Sequence, residues 1–388
     1  RNVPYRLTHI SMLDNNADIR WFIPMNDFFF NNIFIQNYNG ENCLVYAIDY
    51  HQLAYVNYLG QTKKVVTLLC PEGYSENGTY TYMYMHHDFC FDGDGNIITL
   101  AGKCEKNKID DKQYDYPAGF GSYVIRYNIK SNKVTVPLHI DKSVFTSYSV
   151  YAKEQTAEES QKGNWFHPNT IQFIKENDGD YITISSRESS AVLRIKLGDD
   201  WPDENTSSIA NPPTIKWVLT GNTNITTYET NLKFLKRKEG TSVLLPNLGQ
   251  HTSYIIKENI FPDRSLKDNE YYLAMYSNNT DSNHTSNIWD FTDIPESEIN
   301  LINKVSKNKI YVINETDETY ECIYDKNVSF APFMSNFIYY NSHWINQASN
   351  NAEIVEKTLN GDDIVNISFY SNDPKVFLLS YRTIKIDI

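Results

Sequence analysis

The chain has no apolar run of roughly 18 residues or more, so no membrane-spanning helix is expected. It has no C-x-x-C pair. Its five cysteines (Cys43, Cys70, Cys90, Cys104 and Cys322) are scattered, which argues against a cysteine-based zinc site and leaves one thiol unpaired within the chain. It is short of positive charge: 35 Lys and Arg stand against 48 Asp and Glu, a formal net charge of −13. Nucleic acid, which calls for a basic face, is therefore not an expected partner. Any anionic small molecule must find a local positive pocket inside an acidic protein. Helical periodicity is scarce as well. The best candidate, "YAKEQTAEESQKG" (Tyr151 to Gly163), is polar and reads as a surface insertion. The chain begins at Arg1 rather than Met, as a processed or trimmed chain would. Sequons at Asn77, Asn224 and Asn327 are expected by chance in so Asn-rich a chain and decide nothing.

What the chain does have is strand signal from end to end. Aromatics make up 14% of it, with 29 Tyr and 19 Phe, a load that suits strands better than helices. Short runs such as "NCLVYAIDY", "NIITLAG", "DYITISS", "TIKWVLTG" and "YYLAMYS" are bounded by Gly, Asn or Asp. "DGDGN" (Asp92 to Asn96) and "NDGD" (Asn177 to Asp180) sit where hairpins should reverse.

Two segments align. "HHDFCFDGDGNIITLAG" runs on to "GSYVIRYNIKSNKVTV", and "FHPNTIQFIKENDGDYITISSR" runs on to "SAVLRIKL" and "TIKWVL". Each gives a His, a strand, an Asp-Gly turn and three further strands: one propeller blade of four antiparallel strands. A looser copy starts at "QHTSYIIKEN" and continues to "EYYLAMYS" and "SNIWDFTD". The N-terminal "MNDFFFNNIFIQNYNGENCLVYAIDY" fits the same frame with Asn26 at the His position. The expected fold is all-β, one propeller domain over residues 1–388. Five or six blades fit the length, and six is the favoured number. "RLTHISMLDNNADIRWFIP" looks like outer strands and the C-terminal "VFLLSYRTIKIDI" like inner ones. Pairing the two ends would complete a blade and remove the open sheet edges.

In a propeller the first strand of every blade lines the channel, so equivalent positions converge on one axial space. His87, His167 and His251 occupy that position in successive units, 80 and 84 residues apart. Arg187 ends the second strand of the middle unit and can reach the same mouth. The neighbouring His86 should face the other way and pack between blades. His9, His51, His139, His284 and His343 break the register and read as surface or core residues. Tyr-rich runs such as "TYTYMYM" read as packing. Three histidines can hold zinc. However, Arg187 would set a cation beside a cation, and no carboxylate aligns with the set. The cluster suits a tetrahedral oxyanion better, because Arg binds such groups as a fork and His can act as a nucleophile.

"HHDFCFDGDGNIITLAG", "WFHPNTIQF" with "GDYITISSR", "IKWVLTG" and "GQHTSYII", in that order, resemble the bacterial arylsulfate sulfotransferase family. The similarity covers roughly residues 9–290 and fades beyond. It implies a six-bladed propeller that moves a sulfuryl group from a phenolic sulfate ester to a phenol, without a nucleotide sulfate donor. It implies no cofactor and no metal, and small-molecule partners: an aryl sulfate donor and a phenolic acceptor. By the resemblance, His251 is the histidine that becomes transiently sulfated, and His87, His167 and Arg187 surround the sulfuryl group. The family also implies a periplasmic or secreted enzyme; a homo-oligomer stays open. Two departures stand out. Some members carry an additional N-terminal β domain, and here the chain starts at or near the propeller. Some carry a short-range disulfide before the nucleophile, and here no cysteine lies between Cys104 and Cys322. The rival readings are a non-catalytic propeller that binds or scaffolds, since fold alone proves no chemistry, and a metal-dependent hydrolase or lyase.

Overall fold

The computed structural model describes residues 8–14, 16–25, 32–74, 80–105, 122–155, 165–244, 247–280 and 291–370, together with Thr383 and Lys385. The chain folds into six sheets arranged as a six-bladed β-propeller. First come β1 (Thr8–Leu13) and β2 (Ile19–Met25), a two-stranded antiparallel sheet. Then follow β3 (Phe34–Tyr38), β4 (Glu41–Asp49), β5 (Gln52–Asn57) and β6 (Thr62–Thr67). The next blade holds β7 (Tyr80–Phe91), β8 (Ile97–Glu105), β9 (Tyr123–Asn128) and β10 (Lys133–His139). Its successor holds β11 (Pro168–Glu176), β12 (Gly179–Ser186), β13 (Ala191–Lys196) and β14 (Thr214–Thr220). A two-residue strand, β15 (Lys236–Arg237), adds in parallel to the outer edge of the blade β16 (Thr252–Ile256), β17 (Glu270–Ser277), β18 (Ser306–Asn314) and β19 (Thr319–Val328). The last described blade is β20 (Asn336–Tyr340), β21 (His343–Ala348), β22 (Glu353–Thr358) and β23 (Asp363–Ser368).

The two-residue period of a strand builds the core. On β8, Ile97 and Ala101 face the cluster shared with β3–β6, while Ile98 and Leu100 face the one shared with β11–β14. On β13, Leu193 and Ile195 face back toward β7–β10, while Val192 faces forward to a cluster with Tyr271 and Met275. Each blade is thus apolar on both faces and sandwiched by its neighbours. Wedging sheets together in this way buries strands that alternate only weakly in polarity.

Five sequence expectations meet the coordinates differently. The Asp-Gly turns lie where expected: Asp92 Oδ1 accepts the N–H groups of Asp94 and Asn96 at 3.0 and 2.9 Å, closing the β7–β8 hairpin. The expected surface insertion, Tyr151 to Gly163, falls mostly outside the described residues. Its helix, α2 (Thr146–Gln155), follows a short α1 (Ile140–Ser143) and starts earlier than its periodicity suggested. Tyr148 and Ala152 of α2 are buried in the β7–β14 core, and the Tyr148 N–H donates to Glu229 Oε1 at 2.6 Å. Most of "SNIWDFTD" lies outside the described residues, and the strand that pairs with β17 as the third of its blade is β18. Asn26 lies outside the described residues, and so does the pairing of the chain ends, which falls on 371–388 apart from Thr383 and Lys385.

Candidate active site

The first strand of each four-stranded blade is the innermost, and β11 lies between β7 and β16. The three histidines stand at one end of these strands. His167 immediately precedes β11 and His251 immediately precedes β16. His87 lies within β7, where the pairing with β8 breaks register between Met85 and Phe89. His87 has φ 59° and His167 φ 45°. Left-handed backbone is uncommon for residues other than glycine and costs on the order of 1–3 kcal/mol. Beside a bulge it re-aims a side chain. Here it turns two rings from adjacent blades onto each other: His87 Nε2 and His167 Nε2 are 2.8 Å apart. The His87 and His251 rings meet edge to face, with centroids 5.6 Å apart.

Neighbouring blades hold these positions. Asn169 Nδ2 donates to the Gln250 carbonyl, and Thr170 Oγ1 to the His251 carbonyl, both at 2.7 Å. Asp88 Oδ1 accepts the Phe89 N–H and Oδ2 accepts the Ile171 N–H, each at 3.0 Å, clamping β7 to β11 beside the His87–His167 contact. Asp88→Ala is expected to lower unfolding free energy by about 1–3 kcal/mol, because the Ile171 N–H loses its buried acceptor. Denaturant unfolding of the variant measures this, and an unchanged midpoint would remove the clamp. Gly249 has φ 57°, and a Cβ there would meet Thr280 Cγ2 at 2.9 Å, so the turn into His251 needs glycine.

Arg187 leaves β12 on the same side. Its N–H donates to the His167 carbonyl at 3.0 Å, and Ser190 N–H donates to the Arg187 carbonyl, closing the turn. Burial holds the His167 pKa well below the usual imidazole range; the charges of His87, Arg187 and His251 push it the same way. Burial does the same to His86, helped by His87, His167 and His251 and opposed by a backbone hydrogen bond with Pro168. The structure therefore brings His87, His167, His251 and Arg187 around one small volume. A carboxylate out of register with the histidines lies beside Arg187. Glu188 Oε1 lies 3.5 Å from Arg187 Nη1.

Two more groups join this volume. His86 packs between blades as expected, at 3% exposure, yet its ring is also 4.2 Å from that of His87 and 5.1 Å from that of His167. The Ser335 carbonyl takes a 3.0 Å hydrogen bond from His251 Nδ1. Ser335 precedes β20 and lies 84 residues beyond His251. That is the step from His167 to His251, so the repeat period was the signal that could have found it. His86, His87 and His167 each offer a ring nitrogen, all within 4.8 Å of one another, and are the described residues that could hold a metal.

A cavity of about 520 Å³ lies away from the histidines, at the far ends of β11 and β18. There Arg194, at 1% exposure, lies 3.1 Å from Glu315 by Nε and is paired with Glu176 through Nη2. Its rings of contact are Tyr181 and Tyr271, 4.8 and 5.1 Å from the guanidinium carbon. Two carboxylates already neutralise this cation, so it ties blades together rather than receiving an anion.

A propeller with imidazoles and a guanidinium converging at one end of its channel has the makings of a group-transfer enzyme acting on a small oxyanion. The sequence profile of the arylsulfotransferase (ASST) family matches residues 6–383, and the chain belongs to that family. Family membership supports sulfotransferase activity toward arylsulfates. No curated protein matches the chain. Among solved structures it is similar to BamB from Moraxella catarrhalis, with 10% identity, 91% of this chain and 80% of that one covered, and a TM-score of 0.35. Virginiamycin B lyase from Staphylococcus aureus gives 10% identity, 89% and 70% coverage and a TM-score of 0.34. Likeness this low says nothing about chemistry.

Proposed function

We propose that the chain moves a sulfuryl group from a phenolic sulfate ester to a phenol, through a sulfohistidine at His251 and without a nucleotide donor. The observation that carries this reading is the hydrogen bond from His251 Nδ1 to the Ser335 carbonyl. A carbonyl only accepts, so Nδ1 bears the proton and the neutral ring keeps its lone pair on Nε2. Nε2 attacks sulfur as the S–O bond to the aryl group breaks. The phenolate takes a proton from His87, whose Nε2 shares a hydrogen bond at 2.8 Å with Nε2 of the neutral His167. The Nδ1–H bond then strengthens, because the sulfated ring is cationic. In the second half-reaction the acceptor phenol loses its proton to the same base and attacks sulfur, and the S–N bond breaks.

Sulfuryl transfer should resemble phosphoryl transfer, with charge on the equatorial and leaving oxygens. Arg187 holds the equatorial oxygens. A phenol has a pKa of about 10, so a general acid should speed its departure by ~10²–10⁴-fold at neutral pH. Two half-reactions in one site imply ping-pong kinetics.

The test uses a chromogenic aryl sulfate with and without added phenol. Phenol-dependent release, with parallel double-reciprocal lines, is the expected result. Release indifferent to acceptor would make the chain a sulfatase. No release from a panel of aryl sulfates would leave a binding propeller.

A further inference from the structure

We propose that His86, His87 and His167 form a three-imidazole site for a divalent metal of the zinc class, and that a metal seated there stops group transfer. The argument starts from His86, which the transfer chemistry does not use. It is buried at 3% exposure, yet a nitrogen of its ring lies within 4.8 Å of nitrogens on both His87 and His167. Zinc–imidazole bonds are about 2.0–2.1 Å long, so two ligands of tetrahedral zinc stand about 3.4 Å apart. The His87–His167 pair, at 2.8 Å, is already within that span. The wider gaps need ~1–1.5 Å of closure, which turning the rings about their broad χ2 torsion supplies.

The donor set is all imidazole, which suits zinc, copper or nickel and not magnesium or calcium. The site is also held before any metal arrives, because the Asp88 clamp fixes β7 against β11. Three protein ligands leave a fourth position for another ligand, and His87 is the half-buried member of the three.

Arg187 works against the metal. Its charge acts on His167, and Glu188 at 3.5 Å offsets it only in part. Affinity should therefore be held down by this cation and rise when it is removed. A bound metal would occupy His87 and His167, taking both out of proton transfer. The binding claim stands by itself; the inhibition claim rests on the transfer reading above.

The experiment adds zinc chloride to the full chain after chelator treatment, following heat on binding and release of a chromogenic phenol. One zinc per chain is expected, with transfer lowered by ~10-fold or more and restored by chelator, while magnesium does neither. His86→Phe keeps a ring in place without its nitrogens and should weaken zinc binding by ~10-fold or more. Arg187→Ala should tighten it several-fold. Zinc binding unchanged in His86→Phe, or no binding to the native chain, would overturn the proposal. If His86→Phe does not fold, the direction of the Arg187→Ala change decides instead, since equal or weaker binding there would count against it. Zinc binding without any transfer activity would sink the transfer reading alone, and transfer indifferent to bound zinc would sink the inhibition claim alone.

Discussion

Replacing His251 with Asn is expected to abolish the first half-reaction while leaving the propeller folded. The amide nitrogen of Asn can stand where Nδ1 stood, and so keep the hydrogen bond to the Ser335 carbonyl. Thr170 bonds the backbone carbonyl of residue 251, which the substitution does not alter. What disappears is Nε2 and its lone pair. Loss of the nucleophile in a covalent mechanism typically lowers turnover by ~10⁴–10⁶-fold, the residue being whatever binding and electrostatics achieve without it. Rapid mixing of native enzyme with donor alone should give a burst of phenol equal to the number of active sites. Mass spectrometry of the quenched chain should place one sulfuryl group on the peptide containing His251. The Asn variant should show neither. A normal burst from a folded Asn variant would mean that another group carries the sulfuryl, with His87 the next candidate.

How this site was legible in sequence has a physical basis. A propeller repeats one supersecondary unit, so positions that share a register share a place around the axis. The spacing of His87, His167 and His251 therefore predicted convergence before any coordinates, and the rings do meet. Register says nothing of backbone conformation, however. The left-handed turns at His87 and His167 bring those two rings to 2.8 Å, and neither residue type announces such a turn. For the same reason His86 was assigned to one side of β7 by simple alternation. The bulge between Met85 and Phe89 suspends that alternation, so His86 can be both packed between blades and part of the cluster. Ser335 was hidden differently. Its contribution is a main-chain carbonyl, which any residue could provide, and only its place in the repeat marks it. The buried apolar anchors of α2 in the core cluster are few, Tyr148 and Ala152, and Tyr148 precedes the polar stretch that signals a helix in the sequence.

Arg187→Ala should also cost heavily, though less than removing the nucleophile, and for a different reason. In the proposed mechanism the transition state spreads negative charge over oxygens that Arg187 meets. Its main chain is fixed by the His167 carbonyl, and its side chain is mostly enclosed, at 22% exposure. Charge stabilisation inside such a pocket typically gives ~10²–10³-fold for one donor, and up to ~10⁵-fold for an arginine on a transferring phosphoryl group. We expect a loss of ~10³-fold in kcat/KM, about 4 kcal/mol. Arg187→Lys should recover only part, since lysine restores the charge but not the two-pronged geometry. The loss should fall mainly on kcat, because charge on these oxygens grows as the S–O bond breaks; an effect confined to KM would reduce Arg187 to a docking group. The same substitution separates chemistry from damage. Removing the guanidinium takes a cation away from the His86–His87–His167 cluster, so zinc affinity should rise while transfer falls. A collapsed site would lose both together, and only a folded one can move them in opposite directions.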